Sequence, residues 1–216
     1  MSAAGPSQSS GRGLLVTFEG GEGSGKSTQS ELLALRLEAG RWPVIRLREP
    51  GGTPLGEELR RLLLHSRAEA SPEAELLLFL AARAELVRSV ILPALAAKGI
   101  VICDRFSDST LAYQGFGRGL DIEQLKTLNR WATAGLTPDL TVLLDLPVQV
   151  GRRRNQTEED AFEREDDAFH ERVRQGYVEL AHEEPGRWLV LDGTQLPHQL
   201  ATLIGARVEA LVSRSS

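Results

Sequence analysis

The sequence predicts an α/β fold with five short strands in one parallel sheet and helices on both faces. Three observations carry that prediction. Short apolar runs alternate with longer helical stretches along most of the 216 residues, the order that right-handed strand–helix–strand crossovers require. The run Ile100-Val101-Ile102-Cys103 is continuously apolar, as strands buried on both faces are. The first apolar run enters a glycine-rich loop, and a helical stretch leaves it.

In chain order, Met1 to Arg12 is small and polar and reads as a disordered lead-in (residues 1–12) to a single domain over 13–214. Leu14 to Phe18 is the first strand. Thr28 to Leu37 is a helix with apolar positions at Leu32, Leu33, Leu35 and Leu37, closed near Gly40. Val44 to Arg48 alternates and is the second strand, running into the loop Glu49-Pro50-Gly51-Gly52-Thr53-Pro54. Leu55 to His65 is a short helix. Ser71-Pro72 then opens a long one, with serine at the cap and proline at the first helical position. It continues to about Ala97 and should kink at Pro93. Its apolar residues are dense enough to bury more than one face, and a subunit interface could cover the second. Ile100 to Asp104 is the third strand, Asp121 to Ala134 a helix closed by Gly135, and Leu140 to Asp145 the fourth strand. Val148 to Arg164 is highly charged and weakly patterned. Asp166 to Glu184, Trp188 to Leu191 and Leu196 to Val212 complete the alternation as helix, strand and helix.

Composition excludes several classes of protein. No apolar run approaches the ~20 residues that span a bilayer. One cysteine, Cys103, permits neither an internal disulfide nor a cysteine-based zinc site. The start of the chain lacks the basic and apolar segments of a signal peptide, so a cytoplasmic location is expected. A net charge of −5 without a long basic block argues against nucleic acid as a partner, though not against a pocket with local arginines.

The loop Gly20-Gly21-Glu22-Gly23-Ser24-Gly25-Lys26-Ser27, followed by Thr28, fits G-x-x-x-x-G-K-S/T without mismatch and in the required strand–loop–helix context. Its glycines let the backbone curl so that N–H groups converge on phosphate oxygens, and the following helix directs the positive end of its dipole there. Lys26 reaches the β- and γ-phosphates, and the Ser27 hydroxyl suits Mg²⁺. A nucleoside triphosphate is the expected ligand, and the P-loop NTPase fold is the expected version of the α/β class.

Ligands of such sheets sit at the carboxyl ends of the strands, so the loops after strands one to four should form the site. Asp104, ending the third strand, is placed to touch Mg²⁺ directly or through water. Arg105 is either a phosphate ligand or half of a structural Asp–Arg pair. Phe79 and Arg83 are four apart and share a helix face. They form either a base pocket, with a ring to stack and a guanidinium for the base edge, or ordinary core. Arg152-Arg153-Arg154, followed by Glu158-Glu159-Asp160, Arg164 and Asp166-Asp167, is either a solvated face or an arginine-bearing lid at about 150–165.

Taken together, the stretches Phe18-Glu19-Gly20 through Thr28, Arg48-Glu49-Pro50-Gly51-Gly52-Thr53, Asp104-Arg105-Phe106 through Tyr113-Gln114-Gly115, and Pro138-Asp139-Leu140 through Asp145 resemble the thymidylate kinase family, from about Leu14 to Val212. The resemblance implies ATP and dTMP as substrates, Mg²⁺ as cofactor and a homodimer that packs long helices together. It also implies that Phe79 stacks on thymine, that Arg83 reaches its edge, and that Ser109 and Thr110 lie near the base. By the same resemblance Arg105 binds the dTMP phosphate, Tyr113 lies under the sugar, and Glu49, Pro50 and Gln114 line the acceptor site. Glu22 in place of a loop arginine places the chain with the bacterial type, whose arginine sits in the lid. The usual lid pattern Asp-Arg-Phe/Ile-Glu reads Asp160-Ala161-Phe162-Glu163 here. The lid donor then falls to the Arg152–Arg154 cluster, Arg153 and Arg154 foremost, with Arg164 as second choice. The reaction expected is ATP:dTMP phosphotransfer. Its rivals are another nucleotide or deoxynucleoside kinase within the class, and an NTP switch or motor outside it. The chain has no N-K-x-D element, and Asp104-Arg105 stands where motors carry an Asp-Glu pair.

Overall fold

The structure, a computed structural model, describes residues 12–65, 70–154 and 162–215. Five strands form one wholly parallel sheet: β1 (Leu14–Glu19), β2 (Val44–Arg48), β3 (Ile100–Asp104), β4 (Leu140–Asp145) and β5 (Trp188–Asp192), in the spatial order β2-β3-β1-β4-β5. The chain therefore winds one way from β1 and then the other. The crevice at the carboxyl end of β1 is the switch point where ligands of such sheets bind. Register aligns Phe18 of β1 and Arg48 of β2 with Asp104 of β3, so three strand ends meet there.

The helices are α1 (Lys26–Ala39), α2 (Pro54–His65), α3 (Pro72–Leu86), α4 (Leu92–Ala96), α5 (Ser107–Thr110), α6 (Ile122–Ala132), α7 (Val148–Arg154), α8 (Asp167–Glu183) and α9 (Pro197–Ser215). Capping follows the sequence. The Ser71 hydroxyl accepts from the Ala74 amide, and the Asp121 and Asp166 carboxylates accept from the Gln124 and Phe169 amides. The pleat of β1 separates two cores. Leu14, Val16 and Phe18 join Leu33 and Leu37 of α1 and Ile204 and Val208 of α9. Leu15 on the other face joins Leu86, Ile91, Val101 and Phe106.

Three features differ from expectation. The stretch from Ser71 is not one regular α-helix. A π-helical turn, Val87–Ile91, links α3 to α4. Proline removes one amide and crowds the carbonyl four residues earlier, Ser89, which lies inside that widened turn. Ser107 to Gly117, read from sequence as part of a loop, is helical: α5 runs into a π-helical segment, Leu111–Gly117. Gly115 and Gly117 weaken the helical pattern there, and packing supplies the reason for both. A Cβ would fall 2.3 Å from Ile122 at the first and 2.7 Å from Phe169 at the second. Arg12, assigned from sequence to the lead-in, belongs to the folded unit, since its guanidinium donates twice to Asp139 at 2.8 and 2.9 Å. Residues 1–11 of the lead-in, and 155–161 of the lid including Ala161, lie outside the described residues.

Candidate active site

A cleft of about 470 Å³ opens at the carboxyl ends of β1, β2 and β3. The glycine loop forms one wall. Gly20, Gly23 and Gly25 all have positive φ, which a side chain would strain. A Cβ on Gly23 would also lie 2.4 Å from the Gly151 carbonyl of α7, and one on Gly151 would lie 2.3 Å from the Glu22 carbonyl. Backbone thus meets backbone where the arginine-bearing helix α7 touches the loop. The Lys26 ammonium curls beneath the loop, donating to the carbonyls of Gly21 at 2.8 Å and Gly20 at 3.1 Å. Burial lowers its pKa, and the Arg105 guanidinium adds to that.

The Ser27 hydroxyl donates to the Asp104 carboxylate at 2.6 Å. A hydroxyl and a carboxylate on the cleft wall are hard oxygen donors, the type that Mg²⁺ accepts while keeping waters and phosphate oxygens as its other ligands. The residues present fit that ion. Among the described residues there is no cluster of three or more His, Cys, Asp or Glu that would form an all-protein metal cage.

Arg105 occupies the centre, with its backbone at φ 68°. Its guanidinium pairs with Glu22 and donates to the Tyr113 hydroxyl at 3.1 Å, above whose ring it lies at 4.9 Å. Burial pulls the Glu22 carboxyl upward, but Arg105 and then Lys26 outweigh it and hold that group at about 2. The guanidinium's other edge faces the Gly20 carbonyl and the hydroxyls of Ser109 and Tyr177, at 3.3–3.4 Å. Ser109, expected near the base, lines the cleft and also touches the arginine. Glu19 anchors this side. It accepts from the Phe106 amide at 2.8 Å, Ser109 at 2.6 Å and Tyr177 at 3.0 Å. Burial, with Asp108 next, raises its carboxyl to about 7.

Phe79 and Arg83 both line the cleft, but their neighbours differ. Arg83 is 1% exposed, and its guanidinium donates to Glu49 and Asn129 at 2.7 Å, Thr110 at 2.7 Å and the Phe106 carbonyl at 3.0 Å. It is the structural tie between β2, α3, α5 and α6 as well as a cleft residue. The Phe79 ring meets Phe162 at 5.7 Å, and Phe162 meets Tyr113 edge-on at 5.6 Å. Arg118 holds that corner, pairing with Glu75 and Glu165 and lying over Phe162 and Phe169. Gln114 donates to Glu75 at 2.8 Å. Pro50 and Glu49 line the far wall.

Of the charged segment after β4, Arg154 lines the cleft and donates to the Gly193 carbonyl at 2.9 Å. Arg152 instead pairs with Asp167 and donates to the Glu165 carbonyl at 2.6 Å, and Arg153 is exposed. Arg164 lies in the turn before α8, is exposed, and is not among the residues lining the cleft. Residues that sequence reasoning missed include Arg60 and Leu64, one helical turn apart on α2, which both reach the cleft, and Glu19 and Tyr177. The i, i+4 spacing on α2 could have shown the first pair. The second pair is 158 residues apart and had no local signal.

Comparison with known proteins agrees with this geometry. The family model described as thymidylate kinase matches residues 18–204. The thymidylate kinase of Kosmotoga olearia is 51% identical over 183 residues, covering 84% of this chain and 88% of that protein. That of Trichlorobacter lovleyi is 49% identical over 210 residues, covering 93% and 98%. The crystal structure of thymidylate kinase from Ehrlichia chaffeensis superimposes with a TM-score of 0.76 at 36% identity, covering 91% of this chain and 98% of that one. With its glycine loop and strand-end Asp104-Arg105 in one cleft, the chain belongs to the thymidylate kinase family.

Proposed function

We propose that the chain transfers the γ-phosphoryl group of ATP to dTMP, giving dTDP and ADP. One observation carries the reading: Arg105, a half-buried cation, lies between the glycine loop and the acceptor wall of a single cleft. An acceptor phosphate monoester is largely ionised at neutral pH and needs no general base. Catalysis is then positioning and charge neutralisation. Lys26 turns from the carbonyls of Gly20 and Gly21 to the donor phosphates. Arg105 exchanges Glu22 for an acceptor oxygen and fixes it in line. Ser27 and Asp104 would hold Mg²⁺, which supplies further charge neutralisation on the donor. Arg154, already in the cleft, is the lid-side arginine placed to cover the moving group, ahead of Arg153 and Arg164.

Phe79 supplies the stacking face for thymine, and Tyr113 crowds a ribose 2′-hydroxyl. Arg83 acts on the base edge chiefly by holding Glu49 and Thr110, the groups it bonds. A homodimer through the long helix is supported by its exposed leucines, Leu77 at 60% and Leu92 at 37%, beside Leu55 and Leu62 of α2. Among the described residues no helix is long and apolar enough to cross a membrane. The cytoplasmic location is carried only by composition, with a single cysteine in the sequence.

A coupled ADP-release assay across dTMP, dUMP, dCMP, dGMP and UMP tests the reading. dTMP should be preferred, dUMP weaker and UMP poor. Equal turnover of UMP or dCMP would overturn the acceptor assignment. Turnover of ATP without any monophosphate would favour a switch or motor instead. Sedimentation of the wild type and of Leu77→Glu tests the dimer.

A further inference from the structure

We propose that Glu19 and Tyr177 are positioning residues that aim Arg105 at the acceptor phosphate. The inference rests on the reading of Arg105 as the ligand of that phosphate. The β1 pleat puts Glu19 on the face shared by Leu15 and Thr17, and its carboxylate is fully buried. One oxygen, Oε1, accepts from the Phe106 amide at 2.8 Å, clamping the peptide that follows Arg105. The Arg105 amide is clamped in turn by the Phe18 carbonyl at 2.9 Å. Two consecutive amides thus hold a non-glycine residue at φ 68°, a backbone geometry that needs outside support.

The second oxygen, Oε2, accepts from the hydroxyls of Ser109 at 2.6 Å and Tyr177 at 3.0 Å. Those two hydroxyls lie 2.8 Å apart, and both stand beside Arg105 Nη1. A hydroxyl has one hydrogen to give. With Glu19 in its ionised form, which is acceptor-only, and each hydrogen spent toward it, both oxygens turn lone pairs to the guanidinium. Glu19 therefore sets the polarity of the two hydroxyls that grip one edge of Arg105. Glu22 and Tyr113 grip the other edge. The guanidinium plane is locked from both sides, as a group that must meet a phosphate oxygen in line requires.

Isothermal titration of dTMP and of thymidine, which lacks the phosphate, separates this role from a merely structural one. Wild type, Tyr177→Phe, Glu19→Gln, Arg105→Ala and the double variant Arg105→Ala/Tyr177→Phe are compared, with ATP KM and kcat measured on each. Tyr177→Phe and Glu19→Gln should weaken dTMP by roughly tenfold, the scale of one hydrogen bond to a charged group, and leave thymidine within about twofold. kcat should fall with little change in the KM for ATP. In the Arg105→Ala background Tyr177→Phe should add nothing, because the group it positions is gone. If Glu19→Gln does not fold, Tyr177→Phe and Ser109→Ala carry the same comparison. Equal losses for dTMP and thymidine, no loss for either, or full additivity in the double variant would overturn the proposal alone. A wild type that binds dTMP no better than thymidine would overturn the phosphate reading of Arg105, and this proposal with it.

Discussion

Replacing Arg83 by methionine keeps much of its volume and removes its charge and all of its donors. The structure sets the cost. Glu49 is 5% exposed, Arg83 is its partner at 2.6–2.7 Å, and among the described residues its other oxygen, Oε1, has no hydrogen-bond partner. Removing one member of a buried pair leaves an uncompensated charge, at a cost of about 3–5 kcal/mol. For a domain of this size each kcal/mol moves Tm by about 2–4 °C, so Tm should fall by roughly 6–20 °C at pH 7.5. The pH dependence has a definite sign. Burial raises the Glu49 carboxyl despite Arg83, and without Arg83 it rises further. A carboxyl whose folded pKa exceeds its unfolded one keeps its proton longer in the native state. Stability then falls as pH rises between the two values. Arg83→Met should therefore regain stability between pH 7.5 and pH 5, relative to wild type. Adding Glu49→Gln should recover part of the loss at pH 7.5, because the two sites couple. Calorimetric melts across pH measure all three effects. A Tm within about 2 °C of wild type at pH 7.5, or a deficit that does not shrink on acidification, would refute the burial argument.

Other substitutions probe the remaining parts. Lys26→Ala should abolish phosphoryl transfer with an unchanged melt, since the loop has no other ammonium; activity within tenfold of wild type would remove the loop from catalysis. Gly151→Ala puts a Cβ 2.3 Å from the Glu22 carbonyl and should cost about 1–3 kcal/mol and most of kcat, while Gly186→Ala, with open space around it, should do neither. Among Ala variants at Arg152, Arg153, Arg154 and Arg164, Arg154→Ala should lower kcat at saturating substrates by at least about 10²-fold with little change in KM. Near-normal kcat in all four, and in their combination, would return the segment to a solvated face. Glu19 titrates at about 7 in the folded protein against an ordinary 4.5, so its contribution to stability falls as pH rises through that window. Glu19→Gln should have a flatter Tm profile from pH 5 to pH 7.5; identical profiles would refute the assignment.

What the sequence by itself determined is local. β2, β3 and β4 have the bounds read from the sequence, because alternation and apolar runs are written in consecutive residues. The phosphate loop was equally legible, since its turn chemistry and its lysine lie within eight positions. Asp104 and Arg105 were legible from their place at a strand end. Tertiary structure alone decided their partners. Ser27 meets Asp104 across 77 positions, Arg83 meets Asn129 across 46, and Glu19 meets Tyr177 across 158. It also decided that Ser109 accepts from Arg105 and that Phe162 lies against Phe79. The physical reason is one of range. Periodicity and capping are satisfied by neighbours in the chain. A buried carboxylate or guanidinium is satisfied by whichever donor or acceptor the packed helices bring to it, and that pairing leaves no mark within a local window.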